Sequence, residues 1–282
     1  MELIKTRIEI GLEKPLHFLH ITDSHLCLAD SRDDLRKQEL ARRRYAEFGG
    51  DSVPQALDEQ LDYAVSHGLK VLYTGDIIDF VSWQNLEYAQ RQLNRVDYFM
   101  AAGNHEFSLY VGEAKEDVPY KMQSFDRVQR YFKNPLLFAG RVMGGVNFVA
   151  VDDGYYRFDK EQLAGLRAEI AKGLPIVLML HNPLHTDELY RQMRQIPMGR
   201  QCAYLTGTSL DMMSDYPPDR LEQQRPDEDT MAFIRAVEQE PLIKAVIAGH
   251  LHHSFENRLP GGIMQYVTGG GYRGIAREIE IV

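Results

Sequence analysis

Five short clusters of Asp, Asn and His residues are the parts of this sequence that could do chemistry, and each follows a run of apolar residues. The clusters are Asp23-Ser24-His25, Gly75-Asp76-Ile77-Ile78-Asp79, Gly103-Asn104-His105-Glu106, His181-Asn182-Pro183 and Gly249-His250-Leu251-His252. Imidazole and carboxylate groups without a thiolate favour borderline or hard divalent ions such as Zn, Fe, Mn or Ni. The clusters therefore predict a metal centre.

The number of candidate ligands indicates two metal ions. Suitable side chains belong to Asp23, His25, Asp76, Asn104, His181, His250 and His252. This set exceeds the four ligands of a tetrahedral ion. Two-metal sites hold their ions about 3.5–4 Å apart, and a carboxylate is needed between them. Asp76 is the natural bridge.

Each cluster taken singly has an ordinary explanation, because Asp and Asn cap helices and Gly fits turns with positive φ. The position shared by all five clusters is more informative. Eight apolar runs, alternating with stretches of helical period, predict strands at Leu16–Thr22, Lys70–Thr74, Asp97–Ala101, Val146–Val151, Pro175–Leu180, Lys244–Ala248, Ile263–Thr268 and Ala276–Val282. The pattern predicts an α/β layered fold. Because the carboxyl ends of strands form the ligand-binding rim of an α/β sheet, the clusters are expected to converge there.

Two helices of this scaffold have clear sequence signals. The first is expected to begin at the N-cap Ser52 and to end at Gly68. Its buried face is expected to contain Leu57, Leu61, Ala64 and Val65. The second is expected to open at Asp159, which forms a capping box with Gln162.

Two segments do not fit the strand–helix alternation. Residues 28–50 carry nearly balanced charges and predict a helix with a solvated face, with a substrate-facing flap as the alternative. Residues 186–230 are polar and contain four prolines, which indicates a long insertion that is either a lid or a mobile loop. In the flap and lid interpretations, the basic residues of 32–44 and the stretch Tyr204–Tyr216 would shape a substrate pocket.

The ordered motifs Asp-x-His, Gly-Asp-x-x-Asp, Gly-Asn-His-Glu, His and Gly-His-x-His closely resemble those of the calcineurin-like metallophosphoesterases. The resemblance extends from Asp23 to His252. It implies a four-layer α/β/β/α sandwich with two facing mixed β-sheets. One domain spanning 1–282, with the insertion at 186–230, is the expected organisation. The motif spacings and the insertion do not match those of the serine/threonine protein phosphatases.

The resemblance also implies a role for each motif residue. It assigns Asp23, His25, Asp76 and His252 to one divalent ion and Asp76, Asn104, His181 and His250 to the other. His105 matches a histidine that contacts the substrate phosphate as a transition-state stabiliser or proton donor. Asp79 matches a carboxylate that orients a histidine, and Glu106 stands where the family often has Asp. The implied mechanism is attack by a hydroxide that bridges the two ions.

The composition restricts the class of substrate, whereas it leaves the type of reaction open. The formal net charge of −9 disfavours long nucleic acid, because proteins that bind such polymers need basic surfaces. A phosphodiesterase or phosphatase acting on a small phosphate ester is therefore expected, with a nuclease on short nucleic acid as an alternative. A non-catalytic phosphoesterase-fold scaffold is the alternative from a different functional class. The oligomeric state stays open.

The cysteines and the hydropathy pattern suggest a cytoplasmic protein. Cys27 and Cys202 can form at most one bridge, which favours a reducing compartment. We expect neither a signal peptide nor a membrane span, since apolar runs of the required lengths are missing. Cys27 is expected to pack in the interior. Structural or solvent-exposed positions are expected for the remaining histidines, which are His17, His20, His67, His185 and His253.

Overall fold

The computed structural model describes residues 1–113, 115–196 and 204–282, which form two β-sheets flanked by helices. The strands are β1 (Glu2–Ile8), β2 (Leu16–Ile21), β3 (Lys70–Thr74), β4 (Tyr98–Ala101), β5 (Phe138–Met143), β6 (Val146–Val151), β7 (Ile176–Met179), β8 (Ile243–Ala248), β9 (Phe255–Arg258), β10 (Met264–Val267) and β11 (Ile275–Ile281). The helices are α1 (Leu35–Phe48), α2 (Ser52–Ser66), α3 (Trp83–Leu93), α4 (Val118–Gln129), α5 (Lys160–Ile170), α6 (Asp187–Gln195), α7 (Pro218–Gln224) and α8 (Glu228–Gln239). Within the described ranges, every helix is too short or too polar to cross a membrane.

Both sheets are mixed. The first sheet has the strand order β1-β11-β2-β3-β4, and the second has the order β5-β6-β7-β8-β10-β9. In the first sheet β2, β3 and β4 are parallel, whereas β11 runs antiparallel to β2. In the second sheet β6, β7, β8 and β10 are parallel, and the edge strands β5 and β9 are antiparallel to their neighbours.

Apolar side chains pack the sheets face to face and attach helices to their outer faces. Phe18 of the first sheet contacts Phe148 of the second, with ring centroids 4.8 Å apart, inside one buried cluster. Leu61 of α2 joins the cluster on the outer face of the first sheet. Leu166 of α5 and Phe233 of α8 join the cluster on the outer face of the second. The four layers confirm the predicted α/β/β/α sandwich with two facing mixed sheets.

All eight predicted strands are present, and their bounds differ from the predicted ones by at most one residue. Strands β1, β5 and β9 were not predicted from the sequence, and each of these lies at the edge of a sheet. An edge strand is covered less completely than a central one, so it keeps polar and exposed residues. Strand β9, for example, reads Phe-Glu-Asn-Arg and buries only Asn257. An apolar run is therefore a poor signal for such strands.

The helix signals were correct at one helix and partly wrong at the other. Asp159 forms the predicted capping box with Gln162, whose backbone N–H donates to the Asp159 carboxylate at 2.7 Å. The N-cap of α2 is Asp51 and not Ser52, because Ser52 is already helical and its hydroxyl donates to the carbonyl of Gly49 at 2.9 Å. Val65 is 52% exposed and does not belong to the buried face of α2.

The two irregular segments each contain defined helices. The segment 28–50 includes α1, and the segment 186–230 includes α6, α7 and the start of α8. In the second segment Leu189, Met193 and Leu205 form a cluster with Leu251 and Val267, next to the ends of β8 and β10. The part containing Pro197 and Cys202 lies outside the described residues. The lid and mobile-loop interpretations of 186–230 stay predictions.

His20 is a fully buried histidine within β2, and its two ring nitrogens contact two threonines. Its Nε2 lies 2.7 Å from the Thr74 hydroxyl and its Nδ1 lies 2.8 Å from the Thr268 hydroxyl. Burial, followed by the charge of Arg277, lowers the pKa of His20 to about 3. The imidazole is therefore neutral in the folded protein, as expected for a structural histidine.

The buried His20 predicts a loss of stability in acid. Below pH 6.5 an unfolded histidine binds a proton that folded His20 does not bind, so the free energy of unfolding falls as the pH falls. Between pH 7 and pH 4 this loss should be about 3 kcal/mol. Urea unfolding of the metal-free proteins provides the measurement. Between pH 7 and pH 4 the free energy of unfolding of His20→Gln should fall by about 3 kcal/mol less than that of the wild type. His17→Gln is the matched control, because His17 is exposed on the same strand; equal pH dependence in both variants would contradict the prediction.

Candidate metal centre

The residues predicted to do chemistry lie where parallel strands of both sheets end. Asp23 and His25 follow β2, and Asp76 follows β3. Likewise, Asn104 and His105 follow β4, His181 follows β7, and His250 and His252 follow β8. The two sheets meet here, because the backbone N–H of His250 donates to the Asp23 carboxylate at 2.8 Å. The sequence clusters thus converge on one rim.

One group of ligand atoms is formed by Asp23, His25 and His252, whose atoms lie within 4.8 Å of one another. The Nε2 atoms of His25 and His252 are 3.0 Å apart. Asp23 Oδ1 is 3.8 Å from His25 Nε2 and 3.6 Å from His252 Nε2. His25 Nε2 also lies 3.7 Å from Asp76 Oδ2. These four residues are the set that the family resemblance implied for one ion.

A second group is formed by Asp76, His181 and His250, also within 4.8 Å. His181 Nε2 lies 3.1 Å from Asp76 Oδ2 and 3.3 Å from His250 Nδ1. The same carboxylate oxygen of Asp76 therefore faces both groups. Asp76 Oδ1 accepts a hydrogen bond from the backbone N–H of His105 at 2.9 Å, which orients the carboxylate.

Unsatisfied polar atoms at this rim support a cation site. Asp23 Oδ1 and Asn104 Oδ1 are buried without a hydrogen-bond partner, an arrangement that is costly unless another group satisfies them. An ion ~2.1 Å from each ligand atom separates neighbouring ligand atoms by roughly 3.0–3.4 Å. The shortest separations in the two groups, 3.0 Å and 3.1 Å, lie in this range. The facing Nε2 atoms of His25 and His252 likewise favour a cation bound by both imidazoles.

The backbone is strained at these same residues. Among the described residues, positive φ angles outside glycine occur at Asp23, His25, Asp76, Tyr156, His250 and His252. Five of the six are candidate metal ligands, and the sixth places its hydroxyl 3.0 Å from His250 Nε2. Such conformations cost about 1–3 kcal/mol each and cluster at functional sites. The strain therefore supports a functional interpretation of this rim.

Two glycines allow the candidate ligands to approach one another. A Cβ on Gly103 would lie 2.2 Å from Asp76 Oδ1, and a Cβ on Gly249 would lie 1.9 Å from the Thr22 hydroxyl and 2.6 Å from Asp23 Oδ2. All three distances are too short for any side chain. The glycines that precede the motif residues thus have a steric role at the rim.

Charge is concentrated in this buried rim. Burial raises the pKa of Asp23 to about 6. Burial also disfavours charge on His181, but the Asp76 carboxylate outweighs it and raises the pKa of His181 to about 10. Burial acts against ionisation of Asp76 too, yet His181 and His105 hold its pKa well below the usual range. Carboxylates and imidazoles here stabilise one another's charged forms; bound cations would stabilise the carboxylates in the same way and would replace the protons on the imidazoles.

Asp79 contacts two of the motif histidines. Its carboxylate lies 3.0 Å from His25 Nδ1, and its backbone carbonyl lies 2.7 Å from His105 Nδ1. Each contact orients a ring so that its Nε2 is available to other partners. His105, His25 and Asp76 also form a group with ligand atoms within 4.8 Å. The family resemblance implied one histidine contact for Asp79, and the structure contains two.

Comparison with known proteins establishes the family. A family model for calcineurin-like phosphoesterases matches residues 16–254, which is most of the chain. The chain belongs to the calcineurin-like phosphoesterases. As in other members of this phosphoesterase family, its His and Asp clusters are consistent with a binuclear metal site. No curated protein sequence matches the chain at a significant level.

Solved structures with a similar fold include two phosphatases. A dimetal phosphatase from Danio rerio has a TM-score of 0.50 and 14% identity, covering 91% of this chain and 88% of that chain. The purple acid phosphatase PPD1 from yellow lupin (Lupinus luteus) seeds has a TM-score of 0.54 and 13% identity, covering 92% of this chain and 44% of that chain. At these identities the similarity establishes the fold alone.

Two buried carboxylates hold the loops of this calcineurin-like phosphoesterase in place. Glu106 accepts hydrogen bonds from the backbone N–H groups of Asp76, Ile77 and Gly103 at 2.7, 2.8 and 2.6 Å. Asp153 accepts from the backbone N–H of His181 at 2.9 Å. Burial raises the pKa of each carboxyl to about 7. Asp153 was not predicted from the sequence, although it follows β6 at the same rim.

Sequence analysis also missed the residues that surround the phosphoesterase motifs. Phe48 stacks on His25 with ring centroids 4.6 Å apart, and the ring centroids of Tyr272 and His252 are 5.2 Å apart. Tyr156 lies beside His250. No motif marks these aromatic residues, because they reach the rim from separate parts of the chain. Cys27 is buried beside the rim and packs in the interior, as expected.

Proposed function

We propose that the chain hydrolyses phosphoric esters with the help of two divalent cations. The first would be held by Asp23, His25, Asp76 and His252, and the second by Asp76, Asn104, His181 and His250. One observation carries the proposal: Asp76 Oδ2 lies 3.7 Å from His25 Nε2 and 3.1 Å from His181 Nε2, between the two groups. A carboxylate that faces both groups in this way can serve two cations held about 3.5–4 Å apart.

Divalent cations in these positions would supply Lewis acidity that neutralises phosphoryl oxygens and lowers the pKa of a bound water. The protein supplies the remaining functions. Asp79 anchors His105 through Nδ1, so His105 Nε2 can donate a hydrogen bond or a proton to the leaving oxygen of the ester. The backbone N–H of His105 keeps the shared Asp76 carboxylate in one orientation.

The proposed substrate is a small phosphate mono- or diester. The whole chain is acidic, with a formal net charge of −9, and such a charge repels long polyanions. Two bound cations would bring about +4 to the rim and attract a small anion there. The cations accepted by His, Asp and Asn ligands include Mn, Fe, Zn and Ni, and metal supply decides among them.

Metal analysis combined with ester hydrolysis tests the proposal. Purified protein should be stripped with a chelator, reloaded with Mn²⁺, Fe²⁺, Zn²⁺ or Ni²⁺, and assayed on aryl phosphate monoesters and diesters. We expect two ions per chain and metal-dependent turnover of at least one ester. Two bound ions with no hydrolysis of any ester would contradict the enzymatic proposal and favour the scaffold. Cleavage of short oligonucleotides only would identify the nuclease alternative.

A further inference from the structure

Helix α1 lies against the first group of candidate ligands and contacts it through two side chains. We infer that α1 clamps His25 in its metal-binding orientation and that Arg44 is the positioning residue of this clamp. The inference rests on the proposed function, because it concerns the ion assigned to Asp23, His25, Asp76 and His252. It assigns a function to a helix whose charge pattern predicted a solvated face, with a substrate-facing flap as the alternative.

Arg44 makes a two-point ion pair with Asp79. Its Nε donates to Asp79 Oδ2 at 2.7 Å, and its Nη2 donates to Asp79 Oδ1 at 2.9 Å. Asp79 is fully buried, while the Arg44 side chain is 20% exposed. A paired guanidinium fixes the plane of a carboxylate as well as balancing its charge. The orientation of Asp79 therefore depends on α1.

Asp79 in turn orients His25. Asp79 Oδ1, the atom that Arg44 Nη2 contacts, lies 3.0 Å from His25 Nδ1. When Nδ1 donates to a carboxylate, Nε2 keeps its lone pair for a metal ion. His25 Nε2 is the atom that faces His252 and Asp76. Arg44 thus acts on the candidate ligand through one intervening carboxylate.

Phe48 holds the same imidazole by its face. The rings of Phe48 and His25 are nearly parallel, with an interplanar angle of 13° and centroids 4.6 Å apart. The Arg44 guanidinium lies 4.8 Å from the centroid of the Phe48 ring, so the two α1 residues also contact each other. One helix therefore restrains His25 both at its Nδ1 edge and on its face.

The rest of α1 is seated on the loops that carry the motif residues. Lys37 donates to the carbonyl of Val81 at 2.6 Å, and Leu40 and Ala41 pack with Cys27 and Phe80. Positions 37, 40, 41, 44 and 48 share one face of a helix. This face lies on the chain that follows β2 and β3. The opposite face carries exposed arginines, such as Arg43, that pair with glutamates of the same helix.

The second group of candidate ligands is anchored by other parts of the chain. His181 Nδ1 contacts the carbonyl of Thr74 at 2.7 Å, and His250 Nε2 contacts the Tyr156 hydroxyl at 3.0 Å. Loosening α1 should therefore weaken the first ion more than the second. Weakening of the first ion alone would therefore indicate a clamp. Equal weakening of both ions would indicate that α1 contributes to folding in general.

Metal stoichiometry of Arg44→Ala, Arg44→Lys and Arg43→Ala tests the clamp. Calorimetric titration with Mn²⁺ or Zn²⁺ should give two sites in the wild type and in Arg43→Ala. In Arg44→Ala one site should weaken by about 10–100-fold while the other is retained. Arg44→Lys should fall between them, because an ammonium keeps the charge but not the two-point geometry. Circular dichroism checks that each variant is folded.

The possible outcomes distinguish the clamp from the proposed function. Two unchanged sites in Arg44→Ala would overturn the clamp and leave the two-metal proposal intact. Equal weakening of both sites would also overturn it, because α1 would then act on the whole rim. A wild type that binds no metal would overturn the proposed function itself. Should Arg44→Ala fail to fold, the Arg44→Lys titration decides alone: selective weakening of one site supports the clamp, and two unchanged sites overturn it.

Discussion

Asp76→Asn is expected to lower kcat/KM for phosphate ester hydrolysis by about 10³-fold or more and to reduce the metal content below two ions per chain. The asparagine side chain has nearly the same volume as aspartate, so the fold should persist. A neutral amide, however, offers only one oxygen and no negative charge to two cations. The effect should exceed that of any other single ligand substitution, because Asp76 Oδ2 is the atom that faces both groups.

Metal content and steady-state kinetics of Asp76→Asn provide the measurement. Asp126→Asn is the matched control, since Asp126 is exposed on α4 and should leave both quantities unchanged. The Asp76→Asn protein should retain the circular dichroism spectrum of the wild type. Two ions per chain together with near-normal turnover would contradict the bridging role.

His105→Ala is expected to retain both ions and to lose about 10²–10⁴-fold in kcat. His105 Nδ1 is fixed by the Asp79 carbonyl, and one ring nitrogen lies within 4.8 Å of the ligand atoms of His25 and Asp76. The ring is therefore placed to act on a phosphate bound at the rim. If it donates a proton to the leaving oxygen, its loss should matter most for poor leaving groups.

Two esters of different leaving-group acidity sharpen the His105 test. The loss of kcat in His105→Ala should be larger for an alkyl phosphate than for a nitrophenyl phosphate, whose leaving group needs little protonation. His67→Ala is the control, because His67 is exposed at the end of α2. Full turnover in His105→Ala would remove the assigned role, and a lost ion would make His105 a ligand.

Local sequence signals predicted an element of the scaffold correctly when that element depends on residues close together in the chain. The capping box of Asp159 and Gln162 involves residues three positions apart, so the sequence contains all of it. Central strands such as β6 and β7 were also predictable, because burial on both faces favours continuous apolar runs. Edge strand β9 and the exposed Val65 were not, since partial burial depends on which neighbours the fold supplies.

The motif residues were predictable as a set because each follows a strand. Parallel strands bring their carboxyl ends to one edge, so positions far apart in the chain, such as Asp23 and His250, meet there. Arg44 and Phe48 could not be predicted in the same way. Their contacts with Asp79 and His25 depend on the angle at which α1 crosses the rim, and charge pattern alone gave a solvated helix.

The sequence by itself determined the residue types of the centre, the order of the motifs and the α/β layering, because these follow from composition and short-range periodicity. Only the tertiary structure decided which oxygen of Asp76 faces both groups, which backbone angles are strained, and which side chains surround the histidines. These properties depend on distances between segments that are remote in the chain. Packing of two sheets and α1 sets those distances, and no local pattern records them.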